Sequence, residues 1–260
     1  MKYFFFKNLL EKYSSFLQQF ISIVIKQNFG YLPMKKILLI LFILNTSFLF
    51  AQKGAFFRFE GGYALPLVDL SSQKWDTTSV TGGFAKAGYN YGIDIAYFFR
   101  HNMGLSFSFV RHIHTLNNEA IYYKAFEPGI DSILTVESNP WVLNYLLLGF
   151  SQHIYSGERL TVEANLKAGR MTTFAPKIKL LVFDMNGVPA TYERKPAYAA
   201  TISFGGGLGF KYSLNEVIKF SFFANYLHSM PEFFYKENSI KVKNNLGVLN
   251  ATFGLSYSIF

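Results

Sequence analysis

The sequence contains no cysteine. Disulfide staples, thiolate metal centres and cysteine nucleophiles are therefore excluded at the outset. Charge is also scarce, with Asp, Glu, Lys and Arg making up 16% of residues against about a quarter in ordinary soluble domains. Beyond Gln52 no apolar run approaches the ~20 residues a membrane-spanning helix needs. A dense basic stripe is missing too. The net charge is +9, but residues 1–51 hold six Lys against one Glu, and the other 209 residues hold 19 Lys/Arg against 15 Asp/Glu. So diffuse a surplus lacks the clustered cations that counterion release rewards, which argues against nucleic-acid binding.

Aromatic residues are abundant instead. They make up 19% of the 260 residues, including 30 Phe and 17 Tyr. A chain of this length holds one ordinary domain. A soluble core rarely uses so many large rings, whereas a lipid-facing strand wall with interfacial girdles does.

The N-terminal region reads as a leader. Met34-Lys35-Lys36 precedes an apolar stretch from Ile37 to Leu44, then Asn45-Thr46-Ser47, then Phe48-Leu49-Phe50-Ala51-Gln52. A basic start, a short apolar centre and a small residue before the junction are the parts of a signal peptide. At about 14 residues, broken by Asn45, the apolar stretch is too short for a membrane anchor. Residues 34–51 are expected to form a signal-peptide helix cleaved after Ala51, and residues 1–33 to be an over-called extension. Residues 52–260 form the domain.

Within that domain apolar residues recur with period two, the strand period. From Ala55 to Leu65, Phe57, Phe59, Tyr63 and Leu65 alternate with Arg58, Glu60, Gly62 and Ala64. Similar segments span 88–99, 103–113, 140–154, 159–170, 197–212, 217–228 and 247–260. In 140–154 both faces are apolar, which leaves its orientation open, and Phe223 is a misfit on an otherwise small and polar face. The links alternate: 66–87, 114–139, 171–196 and 229–246 are long and polar, whereas 100–102, 155–158 and 213–216 are tight. Short turns at one end and long loops at the other are the asymmetry of outer-membrane barrels.

Eight segments with this alternation predict an all-β, eight-stranded, antiparallel up-and-down transmembrane β-barrel. Backbone groups in hydrocarbon must pair internally, so the wall must close. A lipid-facing Lys or Arg at midplane costs ~2–4 kcal/mol, so the charged face is expected to point inward. An eight-stranded barrel is only wide enough for its own side chains. Arg58, Glu60, Asp94, Glu163, Lys167 and Lys211, with interspersed Gly, Ser, Thr and Asn, are therefore expected to fill a plugged polar lumen.

This pattern resembles the small bacterial outer-membrane β-barrel family that includes the OmpA- and OmpX-type proteins. More narrowly, it is similar to the eight-stranded outer membrane protein beta-barrel domain chains that begin just after an Ala-Gln junction. The terminal run Leu255-Ser256-Tyr257-Ser258-Ile259-Phe260 supplies the final aromatic residue typical of such chains, although its face-mates Ser256 and Ser258 are polar. The resemblance implies residence in the bacterial outer membrane, contact with its lipids and insertion by the barrel-assembly machinery. Members serve in adhesion, in envelope assembly or occasionally in lipid modification, and fold alone does not choose among these.

No catalytic, cofactor or metal constellation is expected. His112 and His114 share a strand face, but no carboxylate motif accompanies them. His228-Ser229 has the residue types of a barrel lipid hydrolase, with Glu232 and Glu237 nearby; adjacent strand residues, however, face opposite ways. Gly205-Gly206-Gly207-Leu208-Gly209 lacks the Lys-Ser/Thr and following helix of a phosphate loop, and reads as close-packed barrel wall. Trp75, Tyr122, Tyr123, Phe126, Phe233, Phe234 and Tyr235 are expected to form an outer girdle or a binding surface. The leading expectation is a non-enzymatic barrel whose external loops touch a surface partner. A lipid-modifying enzyme is the second, and a soluble lipocalin-type carrier, with the opposite wall polarity, the third.

Overall fold

A computed structural model describes residues 54–258, apart from 75–81, 101, 127–132, 184–187 and 236–239. The expected leader, Trp75, Glu237 and the terminal Ile259-Phe260 lie outside the described residues. In chain order the elements are β1 (Ala55–Val68), β2 (Gly88–Arg100), β3 (Met103–His114), helix α1 (Asn118–Phe126), β4 (Ile133–Ser138), β5 (Trp141–Ser156) and β6 (Leu160–Ala175). There follow β7 (Ile178–Phe183), β8 (Pro189–Arg194), β9 (Ala197–Ser213), β10 (Ile218–Ser229), β11 (Glu232–Tyr235), β12 (Ile240–Lys243) and β13 (Leu246–Ser258).

Eight of these strands close into an antiparallel barrel in the order β1-β2-β3-β5-β6-β9-β10-β13, with β13 pairing back onto β1. Each barrel strand pairs with its neighbours along the chain, which is up-and-down topology. The eight expected segments correspond to these strands one for one. The tight turns have local causes. The Asn215 side chain accepts the backbone N–H groups of Val217 and Ile218 at 2.9 and 2.7 Å, an Asx arrangement that reverses the chain without glycine.

Alternation carries through to solvation. On β1, Phe59 and Tyr63 are 60% and 54% exposed, while Arg58 and Glu60 between them are buried. Leu105 and Phe107 on β3, Leu166 on β6, Phe204 and Leu208 on β9 and Phe253 on β13 continue the outward apolar face. β5, whose orientation the sequence left open, turns Leu143, Tyr145 and Leu147 inward and Leu146 and Leu148 outward. The register explains the choice, because Leu146 pairs with outward Phe109 and Arg170.

Two expectations need correction. Charge is not confined to the inward face: Arg111 and Arg170 lie on outward rows of β3 and β6. Nor is the lumen polar throughout. The half near the tight turns is charged, but the half near the long loops is lined by Ala64, Val110, Leu143, Leu147, Met171 and Leu227. These side chains belong to one apolar core shared with loop residues Leu70, Phe84, Ile121, Leu180 and Phe233. The sequence hides this layer because outside β5 its residues share the inward row with polar or charged ones, as Ala64 does with Arg58 and Glu60, Val110 with Ser108 and His112, and Met171 with Lys167. Only β5 shows it openly, as its two-sided apolar pattern.

The long links are built structures. Those at 114–139 and 171–196 contribute β4, β7 and β8 to a single three-stranded sheet in the order β4-β7-β8, and 229–246 forms the β11-β12 hairpin. The link at 66–87 turns sharply where Val68 adopts a positive φ of 58°, costly for a β-branched residue. Asp69 then accepts the Asn245 N–H through its side chain at 2.7 Å, and Ala85 donates to the Leu70 carbonyl at 2.9 Å. The link returns over the barrel mouth with Leu70 and Phe84 buried.

Candidate functional site

The lumen and the outer loops hold the residues singled out from the sequence. All six charged residues expected inside are there and buried. Arg58 and Asp94 stand opposite each other on β1 and β2, and the guanidinium meets the carboxylate at 2.9 Å. Arg58 Nε lies 3.2 Å from Glu60. The Lys167 ammonium reaches Asp94 at 3.1 Å and donates to the Ser108 hydroxyl at 2.8 Å; Ser108 in turn donates to Asp94. Lys211 pairs with Glu163, and His153 lies 3.5 Å from the same carboxylate. The three cations are thus matched by three carboxylates, which is how charge is tolerated away from water.

Aromatic faces complete the network. The Arg58 guanidinium lies 4.2 Å from the centre of the Phe223 ring, so the apparent misfit on β10 is a cation–π platform. Room for that ring comes from Gly209, directly opposite Phe223 on β9, where any Cβ would collide with the ring. The glycine run 205–209 is therefore barrel wall. Lys211 stands over Phe98 and Phe56 at 5.0 and 5.3 Å, and Lys219 over Phe56 at 4.7 Å. His153 stacks on Phe98 at 4.2 Å. The buried part of this network, Arg58, Lys167 and Lys211 against Glu60, Asp94 and Glu163, is charge-balanced, and Lys219 stands half-buried at its margin.

Nearer the loops, His112 and His114 do share a face and are buried, with ring centroids 6.2 Å apart. His114 Nδ1 contacts the Lys86 carbonyl at 3.1 Å, and His112 leans on the Tyr145 ring at 4.9 Å. Among the described residues, no group of three or more His, Cys, Asp or Glu is placed to hold a metal ion. Ser229 is also buried, whereas His228 is on the opposite face of β10, 3.3 Å from the Tyr226 hydroxyl and beside Phe204. The strand continues through Ser229, so the two residues do not meet as a dyad.

The loop aromatics divide. Phe233 is buried and packs edge-on against Trp141 at 5.8 Å, while Tyr123 and Phe234 are exposed and Tyr122 contacts Tyr123 at 5.5 Å. Trp141, at the loop end of β5, is the anchor that sequence reasoning missed. It is buried, and its indole N–H donates to the Gly83 carbonyl at 2.7 Å, so it ties the first link to the barrel wall and to the β11-β12 hairpin. The available signal was a lone Trp opening a strand with apolar residues on both faces.

A closed eight-stranded wall, apolar outside and filled inside by a paired ionic layer beneath a largely apolar one that also buries His112 and His114, is the fold of a small transmembrane β-barrel. The polarity is opposite to that of a soluble ligand carrier. No described helix is long and apolar enough to cross a membrane, so crossing falls to the strands. No family model matches the sequence, and no curated protein matches it. Similar solved structures include Neisserial surface protein A, at 11% identity over 78% of this chain and 96% of that one, with a TM-score of 0.43. Ail, the attachment invasion locus protein of Yersinia pestis, is 16% identical over 80% of this chain and all of that one, with a TM-score of 0.40. The outer membrane protease OmpT from Escherichia coli is 9% identical over 80% and 97%, with a TM-score of 0.38.

Proposed function

We propose that this protein resides in the bacterial outer membrane, inserted from the periplasmic side by the barrel-assembly machinery, and acts without catalysis. Its external loops serve as a rigid contact surface for a partner outside the cell. The observation that carries this reading is the sheet β4-β7-β8, assembled from two separate links. Loops that only close strand ends need no such order, and fixing them costs conformational entropy. This sheet buries Ile133, Ile178, Leu180 and Val182 in the shared core, yet leaves Tyr192 and Phe183 exposed. β8 is an edge strand, exposed along nearly its whole length, and an open edge can pair with another chain.

Replacing residues 184–194 with a short turn removes β8 without touching a barrel strand. The shortened protein is expected to assemble normally but to lose retention on immobilised extracellular proteins and glycans that hold vesicles bearing the intact protein. Unchanged retention would exclude the loop surface. The enzymatic alternative predicts that Ser229→Ala abolishes ester hydrolysis by the vesicle-embedded barrel. With Ser229 buried and His228 facing away, the substitution is expected to leave both assembly and any measured hydrolysis unchanged, and a lost activity would reinstate that nucleophile.

A further inference from the structure

The outer wall is charged in one region. Among the described side chains of the eight barrel strands, the ionic residues (Asp, Glu, Lys, Arg) on outward rows are Arg111 on β3 and Arg170 on β6. They flank β5. Arg111 stands opposite Asn144, Asn144 opposite Thr172, and Leu146 opposite Arg170. An outward polar row thus crosses three strands, with Arg170 one step nearer the membrane centre.

Its height decides its meaning. An arginine in the lipid-facing wall costs ~2–4 kcal/mol at midplane and ~0–1 kcal/mol near the interface. From Leu160 to Arg170, β6 advances roughly 25 Å along the barrel axis (about ten residues at ~3.3 Å, tilted ~40°), the full height of an apolar band. Both arginines therefore sit at the loop-side boundary, at the level of lipid headgroups. Beside Arg111 is a groove of about 370 Å³ lined by Arg111, Asn144, Phe174 and Lys177 among others. Lys177 is paired with Glu193 at 3.0 Å. Arg111 Nε is buried and has no hydrogen-bond partner among the described residues. Below the polar row the wall is strongly apolar, with Leu148 and Ile202 among the most exposed hydrophobic side chains.

We propose that Arg111 and Arg170, with Asn144 and Thr172 between them, bind the phosphate groups of an outer-leaflet lipid whose acyl chains lie on Leu146, Leu148 and Ile202. Guanidinium groups grip phosphate through paired, charge-assisted hydrogen bonds. The apolar wall beneath selects a phosphate that carries chains over a free one. This site rests on the proposed outer-membrane residence but is separate from the loop surface.

The test uses the whole protein in a neutral detergent, titrated with diphosphoryl lipid A, its dephosphorylated form or inorganic phosphate, and followed by unfolding temperature and native mass spectrometry. The phosphorylated lipid is expected to bind and to raise the unfolding temperature. The Arg111→Gln/Arg170→Gln protein should bind it at least about tenfold more weakly. Equal binding of the dephosphorylated lipid, an equal effect of inorganic phosphate, or unchanged affinity in the double variant would each overturn the proposal. If that variant does not assemble, Arg111→Lys/Arg170→Lys keeps the charge but loses the fork geometry. Weakened binding supports the site, and full affinity contradicts it.

Discussion

Asp94→Ala is expected to cost about 3–5 kcal/mol of barrel stability, the range for removing one partner of a buried ion pair. Asp94 accepts from Arg58 at 2.9 Å and from Lys167 at 3.1 Å, and Ser108 donates to it as well. Deletion therefore leaves buried Lys167 without a carboxylate and Arg58 with Glu60 alone. Glu60 and Glu163 are already engaged by Arg58 and Lys211. Urea unfolding in lipid vesicles, followed by loss of compact gel mobility, measures the cost. Asp94→Ala combined with Lys167→Met should recover part of the loss, since it restores charge balance and keeps the lysine's apolar stem. A cost below about 1 kcal/mol for the single variant would mean that the pair is hydrated as a surface salt bridge is.

Trp141→Ala is expected to have an effect of similar size, about 3–5 kcal/mol for truncating a buried ring, but in a different place. Trp141 packs against Phe233 and holds the Gly83 carbonyl, so its loss opens the layer between loops and barrel while leaving the ionic layer intact. External protease should then cut the links at 66–87 and 229–246, while the strands stay protected and the heat-dependent mobility shift persists. Trp141→Phe keeps most of the packing and leaves the Gly83 carbonyl without its donor. Its cost should be smaller, about 1–3 kcal/mol. Protease resistance in the alanine variant would show that the loops are held some other way.

The barrel was legible in the sequence because each segment carries its own evidence of which face meets lipid. Phe59 and Tyr63 flanking Glu60 and Gly62 fix β1 without reference to any other strand. The six lumenal charges followed from the same alternation, since each has apolar neighbours on both sides. Pairing was not legible. Nothing in the order of residues says that Lys167 reaches Asp94 across the lumen, or that Gly209 makes room for Phe223 under Arg58. These contacts depend on strand register and on barrel closure.

The apolar upper layer and the β4-β7-β8 sheet were hidden for a related reason. Segments of four to six residues such as Ile178–Phe183 and Glu232–Tyr235 are too short to stand out within polar links, and their apolar face exists only once the loops pack together. Arg170 looked like the end of its strand. Only the continuation of β6 to Ala175 places it on the wall.

Gel mobility of the membrane-extracted protein, with and without boiling in detergent and after separation of inner and outer membranes, tests the central claim most directly. A closed transmembrane barrel should be found in the outer-membrane fraction, run compactly when unheated and shift on boiling. A soluble protein with no heat-dependent shift would contradict a membrane-spanning wall and mean that the aromatic face meets something other than lipid.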